Sequence, residues 1–165
     1  MKLMTQNSGM SFTISGLDPQ EFSYLKNLSD AELAQHRARR VKADTPTGYP
    51  CRASLEDAKP GDSLLLLNYE HQPADSPFRA SHAIYVNENA KERAVFTDEV
   101  PEMMKIRPYL SVRGFDNAGM MIDAETIEGA RVQSAIEALL RNPAIDYLHV
   151  HFAGAGCYAA RVDRV

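Results

Sequence analysis

The chain of 165 residues is 24% charged and 44% apolar, an average composition for a globular protein and far from that of a disordered one. Its net charge of −4 gives no overall positive field, which argues against nucleic acid or an anionic membrane surface as a partner. A chain of this length is read as one domain over 1–165; it buries roughly 70% of its unfolded surface and needs neither metal nor disulfide to hold a core.

The N-terminal stretch MKLMTQNSGMSFTISG lacks the apolar run of a signal-peptide core, and the longest aliphatic run anywhere is Leu64 to Leu67. The expectation is a cytoplasmic protein that does not enter a membrane. Cys51 and Cys157 lack CxxC spacing and are expected as free thiols of a reducing compartment.

The first helix starts at Ser29, with Glu32 three residues on completing a capping box and Leu28 and Leu33 placed as a hydrophobic staple. It is predicted to run to Arg39 or Arg40, so that His36, Arg37, Arg39 and Arg40 complement the helix dipole. Asp44 to Pro50, DTPTGYP, is a loop. A turn at Lys59 to Asp62 leads into a strand over Ser63 to His71, whose unbroken leucines predict burial on both faces and a central place in a sheet. A second strand follows from Ser81 to Val86, and Leu110 to Asp116 is extended; GMMIDA after it has too weak an alternation to assign. Glu128 to Arg141 is the second helix, with Val132, Ile136, Leu139 and Leu140 on one stripe and Pro143 beyond its end. Ile145 to Phe152 and Gly156 to Val165 form an antiparallel hairpin. Together these elements predict an α+β fold with a mainly antiparallel sheet, two principal helices and a C-terminal β-hairpin.

The hairpin carries the residue types that do chemistry. Alternation puts Tyr147, His149 and His151 on one face and Leu148, Val150 and Phe152 on the other. Two imidazoles at this spacing can share a metal ion or a substrate, and His71 and His82, at the ends of two strands, together with Glu70, are candidates to complete a metal set. With no tight ligand motif such as HExxH, ordinary hydrogen bonding on a polar face is the commoner role of such a pair. Cys157 is a candidate nucleophile with His149 or His151 as its base, provided that it shares their face. A loop of even length, Ala153 to Gly156, turns Cys157 toward Phe152, whereas an odd one places it opposite His151; glycine bulges at Gly154 or Gly156 make both available. A packed, inert thiol is the plainer alternative.

The AGAG turn links two strands with no helix behind it, so it is read as a turn, and no cofactor is expected. Arg52, Arg79 and Arg113, beside strand ends or in loops, are candidate contacts for a carboxylate or phosphate, with pairing to Asp57, Asp75 or Asp116 as the structural alternative. The partner this suggests is a small anionic or polar metabolite bound near the hairpin. Oligomeric state is left open by the sequence.

The phrases CRASLEDAKPGDSLLLLNYE, SPFRASHAIYV and GCYAARVDR, in that order over about residues 49–164, resemble the bacterial family of domains of unknown function numbered 1203 (DUF1203). The resemblance implies a bacterial cytosolic protein and transfers no activity. It implies fixed roles for Cys51 and Arg52, the leucine strand, Gly156, Cys157, Tyr158, Arg161, Asp163 and Arg164, which favours Cys157 or an arginine-lined pocket over a set of histidines.

Overall fold

The computed structural model of the chain describes residues 9–165; the start of the stretch read for a leader, 1–8, lies outside the described residues. The fold is mixed α+β, with antiparallel strand pairs in two sheets. The larger sheet contains β1 (Phe12–Ser15), β5 (Val95–Thr97), β6 (Leu110–Phe115), β7 (Met121–Ile127), β8 (Tyr147–Phe152) and β9 (Tyr158–Arg164), in the order β5-β1-β9-β8-β6-β7. The smaller contains β2 (Ala38–Lys42), β3 (Ser63–Gln72) and β4 (Ala80–Asn87), with β3 in the middle. Helices are α1 (Asp30–Gln35), α2 (Glu102–Lys105) and α3 (Val132–Leu140). No helix among the described residues is long and apolar enough to cross a membrane.

The start of α1 follows the sequence reading: Glu32 N–H donates to Ser29 Oγ at 3.3 Å and Ser29 N–H to Glu32 Oε2 at 2.7 Å. Its end does not. The helix expected to reach Arg39 or Arg40 stops at Gln35, Arg37 turns the chain with φ 52°, and Ala38–Lys42 becomes a strand against the leucines. Six helical residues bury Leu33 and little else, so local helix preference yields to a five-residue ladder that also buries Ala38. The cations therefore do not cap a helix. Arg40 instead binds Glu88 at 3.1 Å and the carbonyls of Lys26 and Leu28.

The leucine strand is central, as expected, but only its Leu65 and Leu67 face is buried along the leucines; on the other face Leu64 is buried, Leu66 is half-buried and Asn68 and Glu70 are exposed, because no element covers that side beyond Leu64. Leu65 and Leu67 pack with Phe22, Leu25, Leu33, Ile84 and Val86, while Leu64 packs with Ala43 and Ala58 in a separate cluster. Its neighbour is the second expected strand, in a register that pairs Leu67 with Ile84 and Leu65 with Val86.

On the larger sheet α3 packs on β6 and β7, and its Ala135, Ile136, Leu139 and Leu140 share one core with Leu110, Val112, Leu148, Val150 and Val162, each buried leucine, isoleucine or valine contributing about 1.5–3 kcal/mol. The predicted Glu128–Arg141 helix begins with a short 3-10 turn over Gly129–Arg131, where a Cβ on Gly129 would stand 2.3 Å from the carbonyl oxygens of both Met104 and Arg107. Arg164 reaches across from β9 to close the far end of α3, donating to the carbonyls of Leu140, Asn142 and Ile145. GMMIDA resolves into β7, an edge strand exposed along most of its length, which accounts for its weak alternation. The short strands β1 and β5 carry too few residues to have shown a period.

Candidate functional site

The hairpin turn decides which side chains meet. Gly156 N–H donates to Phe152 O and Phe152 N–H to Cys157 O, closing a four-residue loop, Ala153 to Gly156, in which Gly156 takes φ 82°. This is the even alternative, and it sets Cys157 beside Phe152 on the apolar face. A bulge then intervenes at Ala159: His151 pairs with Tyr158, but Val150 pairs with Ala160 and His149 with Arg161. Without the extra residue Arg161 would face the core. With it, Tyr158, Arg161 and Asp163 join the imidazole face, and β6 adds Ser111, Arg113 and Phe115 opposite His151, His149 and Tyr147.

The end of β3 meets this face. Tyr69 and His71 both meet Tyr158, His71 stacking on its ring at 5.4 Å, and Gln72 donates to the Tyr147 hydroxyl at 2.8 Å. His71 thereby joins the pair the sequence singled out: its ring centroid is 4.9 Å from that of His151 and 6.1 Å from that of His149. One nitrogen from each of the three lies within 4.8 Å of the others. His149 and His151 are 3% and 1% exposed; His71 is half-buried. Burial pulls His71 down to about 4, helped by the Arg113 charge; it pulls His149 down to about 3, helped by His151, and His151 to about 3 against an opposing bond to Gly156 O. All three are neutral imidazoles at pH 7.

A separate cavity of about 780 Å³ opens on the other side of the hairpin tip, lined by Arg52, Arg107, Tyr109, Phe152, Cys157 and parts of β3 and β4. Arg52 is 1% exposed; its Nε donates to Tyr158 O at 2.7 Å and its Nη1 to Pro50 O at 2.6 Å. Among the described residues it has no carboxylate partner. Burial lowers its pKa while the Cys157 sulfur beside it opposes the shift; a guanidinium starts high enough to stay charged. Arg107 pairs with Asp57 at 2.7 Å, and both guanidiniums sit over the Phe152 ring, 5.1 and 5.2 Å from its centroid.

The candidate residues are thus divided between two places. His71, His149, His151 and Arg113 gather on the imidazole face; Arg52, Cys157 and His82 line the cavity. Neither His149 nor His151 shares the cavity with Cys157. Arg79 belongs to neither group, being exposed and paired with Glu70 at 3.1 Å. Cys51 is a buried acceptor for the Asn87 N–H at 3.2 Å. Sequence reasoning missed Arg107, whose position after a four-residue helix carries no signal, and Tyr158 as the platform for His71.

The fold and these two places define a two-sheet α+β protein with a buried histidine cluster and an arginine-lined cavity. The chain belongs to the family described as protein of unknown function DUF1203, whose model matches residues 48–164. No curated protein and no solved structure matches it.

Proposed function

We propose that the protein binds a small molecule with an acidic group and an apolar body, held in the cavity at the hairpin tip. The observation that carries this is Arg52, a guanidinium 1% exposed at the cavity wall with no carboxylate partner among the described residues. A buried charge held by two carbonyls and a neighbouring thiol, with no counter-ion, is costly, and an arriving carboxylate or phosphate would supply it. Arg107 adds a second guanidinium whose charge Asp57 offsets, leaving a net positive site. Phe152, Pro108, Tyr109 and Leu66 offer apolar surface for the rest of the ligand. Two free thiols, Cys51 and Cys157, suit a reducing cytosol.

The test is thermal shift and calorimetry with acetate, phosphate, benzoate and phenyl phosphate, set against neutral benzamide and benzyl alcohol. Anions with an apolar body are expected to bind best, and Arg107→Gln to weaken them about tenfold or more. Equal binding of the neutral compounds, or no binding by any of the six, would overturn the reading.

A further inference from the structure

The imidazole face holds a feature that anion binding in the cavity does not use, since none of His71, His149 and His151 lines that cavity. His71 Nδ1, His149 Nδ1 and His151 Nε2 are buried and have no hydrogen-bond partner among the described residues. Leaving a buried nitrogen unsatisfied is costly, and three together in one place need a common explanation.

We propose that His71, His149 and His151 form a three-histidine site for a late first-row divalent metal ion such as zinc, with an open fourth position facing Arg113. Three observations converge on it. The three histidines come from two strands of different sheets, one nitrogen of each lies within 4.8 Å of the others, and the set is nitrogen alone, which suits zinc, copper or nickel and not magnesium or calcium. His151 Nδ1 lies 2.9 Å from Gly156 O, so its N–H donates there and Nε2, the unpartnered atom, presents its lone pair. A carbonyl behind a ligating histidine fixes tautomer and ring in this way at metal sites.

Around a tetrahedral ion with bonds of about 2.0–2.1 Å, ligand nitrogens stand about 3.4 Å apart, so binding requires modest ring rotations. His71, half-buried at a bulged strand end, has room for them. Arg113 lies opposite His149, half-buried, its Nε on Ser111 Oγ at 3.2 Å and with no carboxylate partner among the described residues. Arg161, the other cation on this face, is neutralised by Asp163 at 3.0 Å. The free charge of Arg113 repels a bare dication and attracts an anion, so the fourth position takes hydroxide or another small anion bridging metal and guanidinium.

The experiment uses untagged full-length protein stripped with chelator and titrated with Zn2+ and Co2+, read by thermal shift and by the visible spectrum of bound Co2+. Expected are one equivalent per chain, a raised melting temperature and a tetrahedral cobalt spectrum, with affinity falling at least about tenfold in His71→Gln and His149→Gln but not in His82→Gln. His149→Leu guards against misfolding: it removes a buried unpartnered nitrogen, so the metal-free variant should melt no lower than wild type while losing the metal response. Azide should alter the cobalt spectrum in the wild type and bind more weakly in Arg113→Met. Absence of saturable binding, or full binding retained in the His71 and His149 variants, would overturn the site. Azide binding untouched by Arg113→Met would overturn the role given to Arg113.

Discussion

Acidifying the metal-free protein from pH 7 to pH 5 is expected to remove about 5 kcal/mol of stability. The three clustered histidines have folded pKa values of about 4, 3 and 3, below the unfolded value of about 6.5. Between those values the unfolded chain binds protons that the folded chain refuses, so stability is full above pH 6.5 and is lost as pH falls toward the folded values. At pH 5 a buried histidine that stays neutral gives up about 2 kcal/mol relative to pH 7, which applies to His149 and His151. His71 is half-exposed, and solvent screening reduces its share to about 1 kcal/mol. Glu88, whose carboxylate is held below its ordinary range by Arg40 and Ser63, titrates under this window and does not blur it. The assay is urea unfolding in chelator at pH 7.5, 6.5, 5.5 and 5.0. With a slope of about 2 kcal/mol/M the midpoint should fall by roughly 2.5 M across the range. A midpoint constant from pH 7 to 5 would refute the reasoning, as would an undiminished fall in a His149→Leu, His151→Leu double variant.

Gly129→Ala should destabilise by about 2 kcal/mol or more, because its methyl would meet the carbonyls of Met104 and Arg107 at 2.3 Å; equilibrium unfolding checks this, and a neutral result would mean that the 3-10 turn shifts freely. Arg107 should also move with that turn, since Gly129 N–H donates to its carbonyl, so anion binding should weaken in the same variant. Arg79→Ala, by contrast, removes an exposed pair with Glu70 and should change stability by less than about 1 kcal/mol, with binding of benzoate or phenyl phosphate unaltered.

The local signals in the chain determined much of the fold. The Ser29 and Glu32 capping box, the unbroken leucines of β3, the stripe of α3 and the alternation of β8 each state a preference that a few neighbouring residues can enforce. They stand in the structure nearly where the sequence puts them. Where local preference was weak the tertiary structure decided. Ala38–Lys42 left the helix because a ladder against β3 outweighs one more turn, and the exposed edge strand β7 formed on the strength of pairing alone.

The site divides in the same way. Alternation alone put His149 and His151 on one face, because side chains in a strand have a fixed period of two. Three further facts depended on long-range geometry. A four-residue turn sent Cys157 to the cavity, a bulge at Ala159 returned Arg161 to the imidazole face, and the packing of β3 on β9 brought in His71 from about 80 residues away. The partners of the arginines were equally a tertiary matter. Arg79 found Glu70 and Arg107 found Asp57, while Arg52 was carried into the interior with two carbonyls and the Cys157 sulfur to hold it and no carboxylate. Residue type and periodicity set what each side chain is able to do, but which groups share a space depends on register and on contacts between distant segments, which no local pattern encodes.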